Sequence, residues 1–199
     1  MKTRPSLVSI GAMTPSVLFH NRFPGIRAAL IMMLAMMGHP ALARDLPTVG
    51  GGSVSLSGGA PTVVTVITKD RENQAKRIGS YISDEEFANG QVLTATVLNF
   101  DGKLQPSMRK ITEAQIELDL KKESARLGPV YRRLGVDHSP MNNLHVVPDY
   151  DGSIARSLGV DSEKNPIVVL IYDQAGNLKA RFSGLPGRKQ FREYLDPLL

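Results

Sequence analysis

The stretch Val63–Ile82, VVTVITKDRENQAKRIGSYI, is the most informative part of the chain. Its first part, Val63–Thr68, is β-branched throughout, which is typical of a buried strand. A short polar turn follows, in which Asp70 is the predicted N-cap of a helix. Apolar residues then recur at a spacing that places them on one helix face: Ala75, Ile78 and Ile82. The stretch therefore predicts a strand, a turn and an amphipathic helix in direct succession.

The N-terminal residues 1–43 are basic and contain no acidic side chain. Their apolar run, AALIMMLAMMG (Ala28–Gly38), is followed by small residues at Ala41 and Ala43. This order predicts a secretory signal peptide cleaved after Ala43, because the run is shorter than the about 20 residues that a membrane span needs. We therefore expect a periplasmic or secreted protein with no stable membrane span after cleavage. An uncleaved anchor and a mitochondrial presequence are the alternatives.

The charge of the chain changes with the predicted cleavage. The full sequence has 24 Lys and Arg against 19 Asp and Glu, a net charge of +5. Four of the basic residues lie in the signal peptide, so 20 basic groups against 19 acidic ones remain. This near balance gives no support for a nucleic-acid partner, which a basic surface would indicate. The chain also has no cysteine, which excludes disulfides, thiolate catalysis and Cys-ligated metals.

The remaining residues divide into an entry segment and one domain. Residues 44–61, RDLPTVGGGSVSLSGGAP, are rich in Gly, Ser and Pro and predict a flexible arm, although VSLS within them has the pattern of a short edge strand. Residues 62–199 alternate strands with helices, and this alternation predicts an α/β fold, a three-layer α/β/α sandwich around a mixed sheet of about five strands. The predicted strands are 63–68, 91–100, 144–149, 166–173 and 178–184.

Helices are predicted between these strands. The second helix is predicted to begin at a capping box of Thr112 and Gln115 and to end at Gly128-Pro129. A further helical turn or two is expected after it. A short helix is expected at 153–158 and a terminal one at 187–199.

Two segments, VVPDYDGSIARSLGV and NPIVVLIYDQAGNLKARFSG, carry a resemblance to a known family. They resemble the thioredoxin-like superfamily, in particular its exported redoxin and TlpA group and YtfJ-type periplasmic proteins. The residues that match the family pattern are Asp149, Asp151, Ile154, Ala155, Leu158, Gly159, Val160, Pro166, Asp173 and Gly176. The likeness extends over about the whole of 63–199.

By this resemblance, Pro166 stands where the family places a cis-proline facing the active-site turn. Most X-Pro bonds are trans, so both isomers of Asn165-Pro166 stay open. The family's redox chemistry uses a thiolate at the start of the first helix, where this chain reads Thr68-Lys69-Asp70-Arg71. Thiol oxidoreductase and cysteine-based peroxidase activities are therefore excluded.

The resemblance leaves a binding role for the same surface. In this superfamily the groove beside the proline accepts extended peptide, so we expect a non-redox, chaperone-like module for a peptide or protein partner in the cell envelope. The predicted binding residues are Thr68, Lys69, Asp70, Arg71, Asn165 and Pro166. The first four precede a helix N-terminus, where an anion would also bind. The alternative is a helix start that Asp70 caps by itself.

A His/Met cluster supports a different hypothesis. His138, Met141 and His145 are the residue types that bind copper, because thioethers suit Cu(I) and imidazoles suit Cu(II). The corresponding function is copper binding or delivery in the periplasm. Copper would then be the cofactor, whereas the peptide-binding hypothesis requires none. Polar loop residues without a metal are the alternative. A non-redox enzyme ranks last, because no nucleophile, base and orienting group occur at a supporting spacing.

Overall fold

The computed structural model describes residues 45–199. The predicted signal peptide lies outside them. The strands are β1 (Asp45–Pro47), β2 (Ser53–Ser55), β3 (Thr62–Thr68), β4 (Leu93–Asn99), β5 (Leu144–Asp149), β6 (Ile167–Tyr172) and β7 (Leu178–Ser183). The α-helices are α1 (Glu72–Gly79), α2 (Asp84–Ala88), α3 (Arg109–Leu134), α4 (Ser153–Ser157) and α5 (Arg188–Leu195). None of the helices in this part of the chain is long and apolar enough to cross a membrane.

Five strands form the central sheet in the order β5-β4-β3-β6-β7. β3, β4 and β5 are parallel to one another. β6 runs antiparallel to β3, and β7 runs antiparallel to β6. The most apolar strands, β3 and β6, are buried on both faces and therefore pair with each other at the centre. The mixed five-stranded sheet expected from the sequence is confirmed.

Each face of the sheet carries its own apolar core. On one face α1, α2, α3 and α5 contribute buried side chains, among them Ile78, Phe87, Leu127 and Phe191. On the other face α4 and the β1–β2 pair cover the strands. We call the first the helical face and the second the hairpin face. The three-layer arrangement expected from the sequence is confirmed.

The entry segment differs from the flexible arm predicted for 44–61. Its described part forms an antiparallel hairpin in which Leu46 pairs with Val54. Both side chains, with Leu56, are buried in the core of the hairpin face. The N–H of Val49 also donates to the carbonyl of Val146 at the sheet edge. The prediction was wrong because three well-placed apolar side chains bury enough surface to dock a glycine-rich segment.

Helix α3 is longer than predicted. It runs through Gly128-Pro129, and it begins at Arg109 rather than at Thr112. Leu127 and Tyr131 are buried on either side of Pro129 and hold both halves of the helix on the sheet. Their packing outweighs the hydrogen bond that a proline removes from a helix interior. The capping box and the predicted helix end are therefore both corrected.

The first turns of α3 attach to the sheet through Tyr150. Its hydroxyl donates to the carboxylate of Glu113, and the guanidinium of Arg109 lies 4.6 Å from its ring centre. Burial and the neighbouring carboxylate raise the pKa of Tyr150 to about 12. The phenol therefore stays protonated, and keeps donating, over the whole physiological range.

An ion pair joins α2 to α5. Two N–H groups of Arg192 donate to the two carboxylate oxygens of Glu86, at 2.9 and 2.7 Å. Glu86 also accepts from the N–H of Ser83 in a capping box. The hydrogen bonds from Arg192 lower the pKa of Glu86 to about 2 despite its burial. This bidentate geometry is the strong form of an Arg–carboxylate contact.

Candidate functional site

A row of polar residues ends the three parallel strands. Thr68 is in register with Asn99, and Asn99 with Asp149. The side chains of all three share a parity with residues of the hairpin-face core, so they project toward that face. Asn99 and Asp149 are nearly inaccessible, at 3% and 1% exposure. Buried polar groups at the carboxyl ends of parallel strands are where α/β proteins commonly bind ligands.

Thr68 also contacts the predicted proline loop. Its N–H donates to the carbonyl of Pro166 at 3.1 Å, which extends the pairing of β3 with β6 by one residue. The structure thus brings the junction and the proline together, as the resemblance implied. The Asn165-Pro166 bond is trans, and residues 45–199 contain no cis peptide. The N–H of Asn165 already donates to the carbonyl of Asp161.

The junction turn is a 3₁₀ turn over Lys69–Arg71, and α1 starts after it at Glu72. Asp70 does not cap that helix, which corrects the prediction. Its carboxylate instead accepts from the Thr68 hydroxyl. That hydrogen bond, with the positive charges of Arg71 and Lys103, lowers the pKa of Asp70. Lys69 and Asp70 are exposed, so both are accessible to a partner.

Arg71 is held beside the same carboxylate. Its Nε lies 3.1 Å from Asp70 Oδ2, yet its N–H is not aimed at that oxygen and has no hydrogen-bond partner. A buried donor without a partner is uncommon in a native fold. The junction is therefore a place where polar contacts are incomplete within the chain.

Asn99 links the strand ends to the proline loop. Its Nδ2 donates to the Ser162 hydroxyl at 2.6 Å, and its Oδ1 accepts from the N–H of Asp101 at 2.7 Å. Asp101 adopts a positive φ of 50°, unusual for a residue other than glycine. The hydrogen bond from the Asp101 N–H to Asn99 Oδ1 holds this left-handed turn in place. Asn99 therefore positions both the turn at Asp101 and the loop that contains Ser162.

Asp149 has a structural task at the end of the row. Its carboxylate accepts from the N–H groups of Ile154 and Ala155, at 3.2 and 2.8 Å. These bonds satisfy the first turn of α4 and set its position above the sheet. Because both oxygens are engaged, Asp149 is a positioning residue of this site rather than a ligand-binding one.

An open cleft of about 420 Å³ lies on the hairpin face beside this row. Its floor is Asn99, and α4 with the loop after it forms the wall. The residues that line it are Asn99, Asp101, Gly152, Arg156, Gly159, Val160, Asp161, Ser162 and Glu163. Both signs of charge are present in the lining, since Arg156 occurs there together with Asp101, Asp161 and Glu163.

The sequence analysis did not single out Asn99, Asp101, Arg156 or Ser162 as site residues. A signal for the first two exists, because Asn99 closes an apolar strand and is followed by an Asp-Gly turn. Parallel strands end at the same edge of a sheet, so polar residues at these ends converge. Arg156 and Ser162 have no such local signal.

The His/Met cluster is not brought together by the fold. His138 lies edge-on to the ring of Tyr131, on the helical face. His145 in β5 shares its parity with Val147 of the hairpin-face core, so it points to the opposite side of the sheet. Burial lowers the pKa of His145. Within residues 45–199 no three His, Cys, Asp or Glu side chains form a group that would hold a metal ion.

Comparison with known proteins gives matches at the level of structure. A DsbF homologue from Corynebacterium diphtheriae has a TM-score of 0.53 at 11% identity, covering 81% of this chain and 88% of the other. The solution structure of a thioredoxin candidate from Neisseria meningitidis gives 0.52 at 14%, covering 81% and 90%. The exposed lipoprotein thioredoxin of Streptococcus pneumoniae gives 0.49 at 17%, covering 78% and 99%. No family model and no curated protein matches the chain.

The first two likenesses show that the fold is thioredoxin-like, so the fold that the resemblance implied is confirmed. At these identities they concern the fold alone. The protein is thus a thioredoxin-like α/β domain whose junction turn contains no sulfur, since the chain has no cysteine. Thiol–disulfide exchange has no reacting atom here.

Proposed function

We propose that this protein is a non-redox binding module that holds an extended segment of a peptide or protein partner at the carboxyl edge of its sheet. The observation that carries the proposal is the pairing of Thr68 with Pro166, which places the exposed junction turn directly beside the proline in a protein without a thiol. A surface of this kind recognises a partner by hydrogen bonds and shape, and it returns the partner unchanged.

The accessibility of the junction supports this proposal. Lys69, Asp70 and Pro166 are exposed, while Thr68 and Asn165 are partly so. Donors and acceptors are thus present next to an apolar proline ring, which is the mixture that peptide-binding grooves present.

The proposal includes export. The basic, apolar and small-residue order of 1–43 favours a signal peptide. The partner would then be a polypeptide of the cell envelope or the extracellular space. Fractionation of cells that produce the tagged chain tests this part, and retention in the cytoplasm would contradict it.

Binding is tested by fluorescence anisotropy with a dye-labelled pool of unstructured ten-residue peptides and the full chain. Lys69→Trp places a bulky ring on the proposed surface, and we expect it to weaken binding at least tenfold. Gln174→Trp is the matched control, because Gln174 is exposed in the β6–β7 turn at the other end of the sheet. Absence of binding by the unchanged chain, or equal loss in both variants, would refute the proposal.

A further inference from the structure

The cleft beside Asn99 contains a cation with unused donors. The guanidinium of Arg156 donates from Nη2 to the carbonyl of Asp151 at 3.0 Å, which anchors one end of the group. Its Nη1 has no hydrogen-bond or ion-pair partner among residues 45–199. Arg156 is exposed, so this donor faces the solvent of the cleft. A fixed guanidinium with a free edge is suited to binding a carboxylate.

The guanidinium of Arg156 lies against Gly152, which has no side chain to displace it. Gly152 has a φ of 75°, and a Cβ at this position would lie 2.9 Å from Arg156 Nη1. The same point is 3.6 Å from Asp101 Oδ1 and 3.7 Å from Asn99 Oδ1. One cationic donor and two oxygen atoms therefore lie close together beside Gly152 at the cleft, where a larger residue would displace the guanidinium.

Of these two oxygen atoms, that of Asn99 accepts from the N–H of Asp101 at 2.7 Å, whereas the carboxylate of Asp101 is only weakly engaged. The carboxylate of Asp101 is 31% exposed, and its ion pair with Lys103 spans 3.3 Å to a side chain that is 82% exposed. Such exposed pairs contribute little and are easily replaced. Asp101 is therefore available to accept from N–H groups of a ligand.

The balance of charge selects the ligand. Three carboxylates, those of Asp101, Asp161 and Glu163, line the cleft with Arg156, and Asp161 is paired with Lys164 at 2.8 Å. Carboxylates disfavour a doubly charged phosphate more than a singly charged carboxylate, and N–H donors beside that carboxylate give the acceptors of the cleft a partner. A peptide C-terminus has this chemistry, because its terminal carboxylate adjoins backbone N–H groups.

The position of the cleft favours a peptide over a free amino acid. Asn99, its floor, is the register partner of Thr68, and strands pair at about 4.8 Å. The cleft is open, so a chain that crosses the junction beside Pro166 can end in it. We propose that the cleft binds the C-terminal carboxylate of the extended partner, with Arg156 as its cation and Asp101 as the acceptor for its last N–H groups. This inference rests on the proposed function.

Two tripeptides and one amino acid test it on the full chain by NMR titration: acetyl-Ala-Ala-Ala acid, the same peptide as its C-terminal amide, and free alanine. We expect the acid to bind at least tenfold more tightly than the amide. Arg156→Gln should bring the two within twofold of each other. Arg132→Gln is the matched control, because Arg132 is an exposed side chain of α3 on the opposite face of the sheet, and it should leave the difference intact.

The outcomes separate this inference from the proposed function. Equal binding of acid and amide, unchanged in Arg156→Gln, overturns the carboxylate assignment and leaves peptide binding standing. Free alanine binding as tightly as the acid overturns the assignment to a peptide end. Failure of both peptides to bind, with the ten-residue pool also inactive, overturns both.

Discussion

Asn99 Nδ2 donates a 2.6 Å hydrogen bond to the hydroxyl of Ser162, 63 positions further along the chain. The bond ties the end of a central strand to the loop that enters Pro166. Asn99 is buried and Ser162 is half-buried at the cleft, so the contact is partly shielded from water, where a hydrogen bond is stronger than in bulk solvent. The geometry of the proposed binding surface therefore depends on one interaction between distant parts of the chain.

Asn99→Ala tests this dependence. The change leaves the Asp101 N–H and the Ser162 hydroxyl without their partners, so we expect a loss of about 1–3 kcal/mol in the free energy of unfolding. Urea denaturation measures it. Asn142→Ala, at an exposed position of the loop before β5, is the control and should stay within about 0.5 kcal/mol of the unchanged protein. Equal stability of the two variants would show that the Asn99 contacts are dispensable.

The docked hairpin makes a second prediction. Leu46 is 3% exposed in the hairpin-face core, so Leu46→Ala should lower the free energy of unfolding by about 2–4 kcal/mol. Leu178→Ala removes the same atoms from a side chain that is 49% exposed and should cost much less. Both are measured by urea denaturation. An unchanged stability in Leu46→Ala would mean that the hairpin does not pack on the sheet.

The Glu86–Arg192 pair predicts a pH dependence of stability. The pKa of Glu86 falls from 4.5 to about 2 on folding, mainly through the hydrogen bonds from Arg192. A carboxyl with a lowered pKa stabilises the fold above its unfolded value, and this contribution is lost as the pH falls from about 4.5 toward 2. Glu86→Gln should therefore be less stable than the unchanged protein at pH 7, and the difference should shrink below pH 4.

The neighbouring Glu85 supplies the control for that experiment. Its pair with Arg133 has side chains that are 60% and 64% exposed, so Glu85→Gln should change stability by about 0–1 kcal/mol. Urea denaturation at pH 7, 4 and 2.5 measures both variants. A difference for Glu86→Gln that does not depend on pH would refute the assigned role.

A copper site that uses both His138 and His145 requires the two imidazoles to lie close together. Because the two side chains lie on different sides of the sheet, we expect no copper-induced thermal stabilisation that requires both. Site binding at a hundredfold excess over Kd would add about 2.7 kcal/mol. Thermal unfolding with Cu(II), or Cu(I) under reductant, measures it. A shift of that size that disappears in both His138→Ala and His145→Ala would restore the copper hypothesis.

The strands could be predicted from the sequence because their signal is local. Runs such as Val63–Thr68 and Ile167–Tyr172 are apolar on both faces, and only the centre of a sheet buries both. The hairpin was missed for the opposite reason. The apolar residues of the hairpin are isolated among glycines and polar residues: Leu46, Val54 and Leu56. They stabilise the fold through the apolar surface of the sheet that they bury, which the local sequence does not indicate.

The site was predicted in part. The meeting of Thr68 with Pro166 follows from the fold and was expected. Arg156 could not be selected in advance, because its role depends on the missing side chain of Gly152 and on Asp101, more than 50 positions earlier. Interactions between residues so far apart leave no periodic pattern in the sequence.

The most direct test of the central claim is a map of amide shifts. The full chain, labelled with ¹⁵N, is titrated with the pool of unstructured ten-residue peptides and followed by two-dimensional NMR. The account predicts shift changes at 68–72, 99–103 and 156–166, with the β6–β7 turn at 173–177 unchanged. Changes confined to other surfaces, or none at saturating peptide, would contradict it.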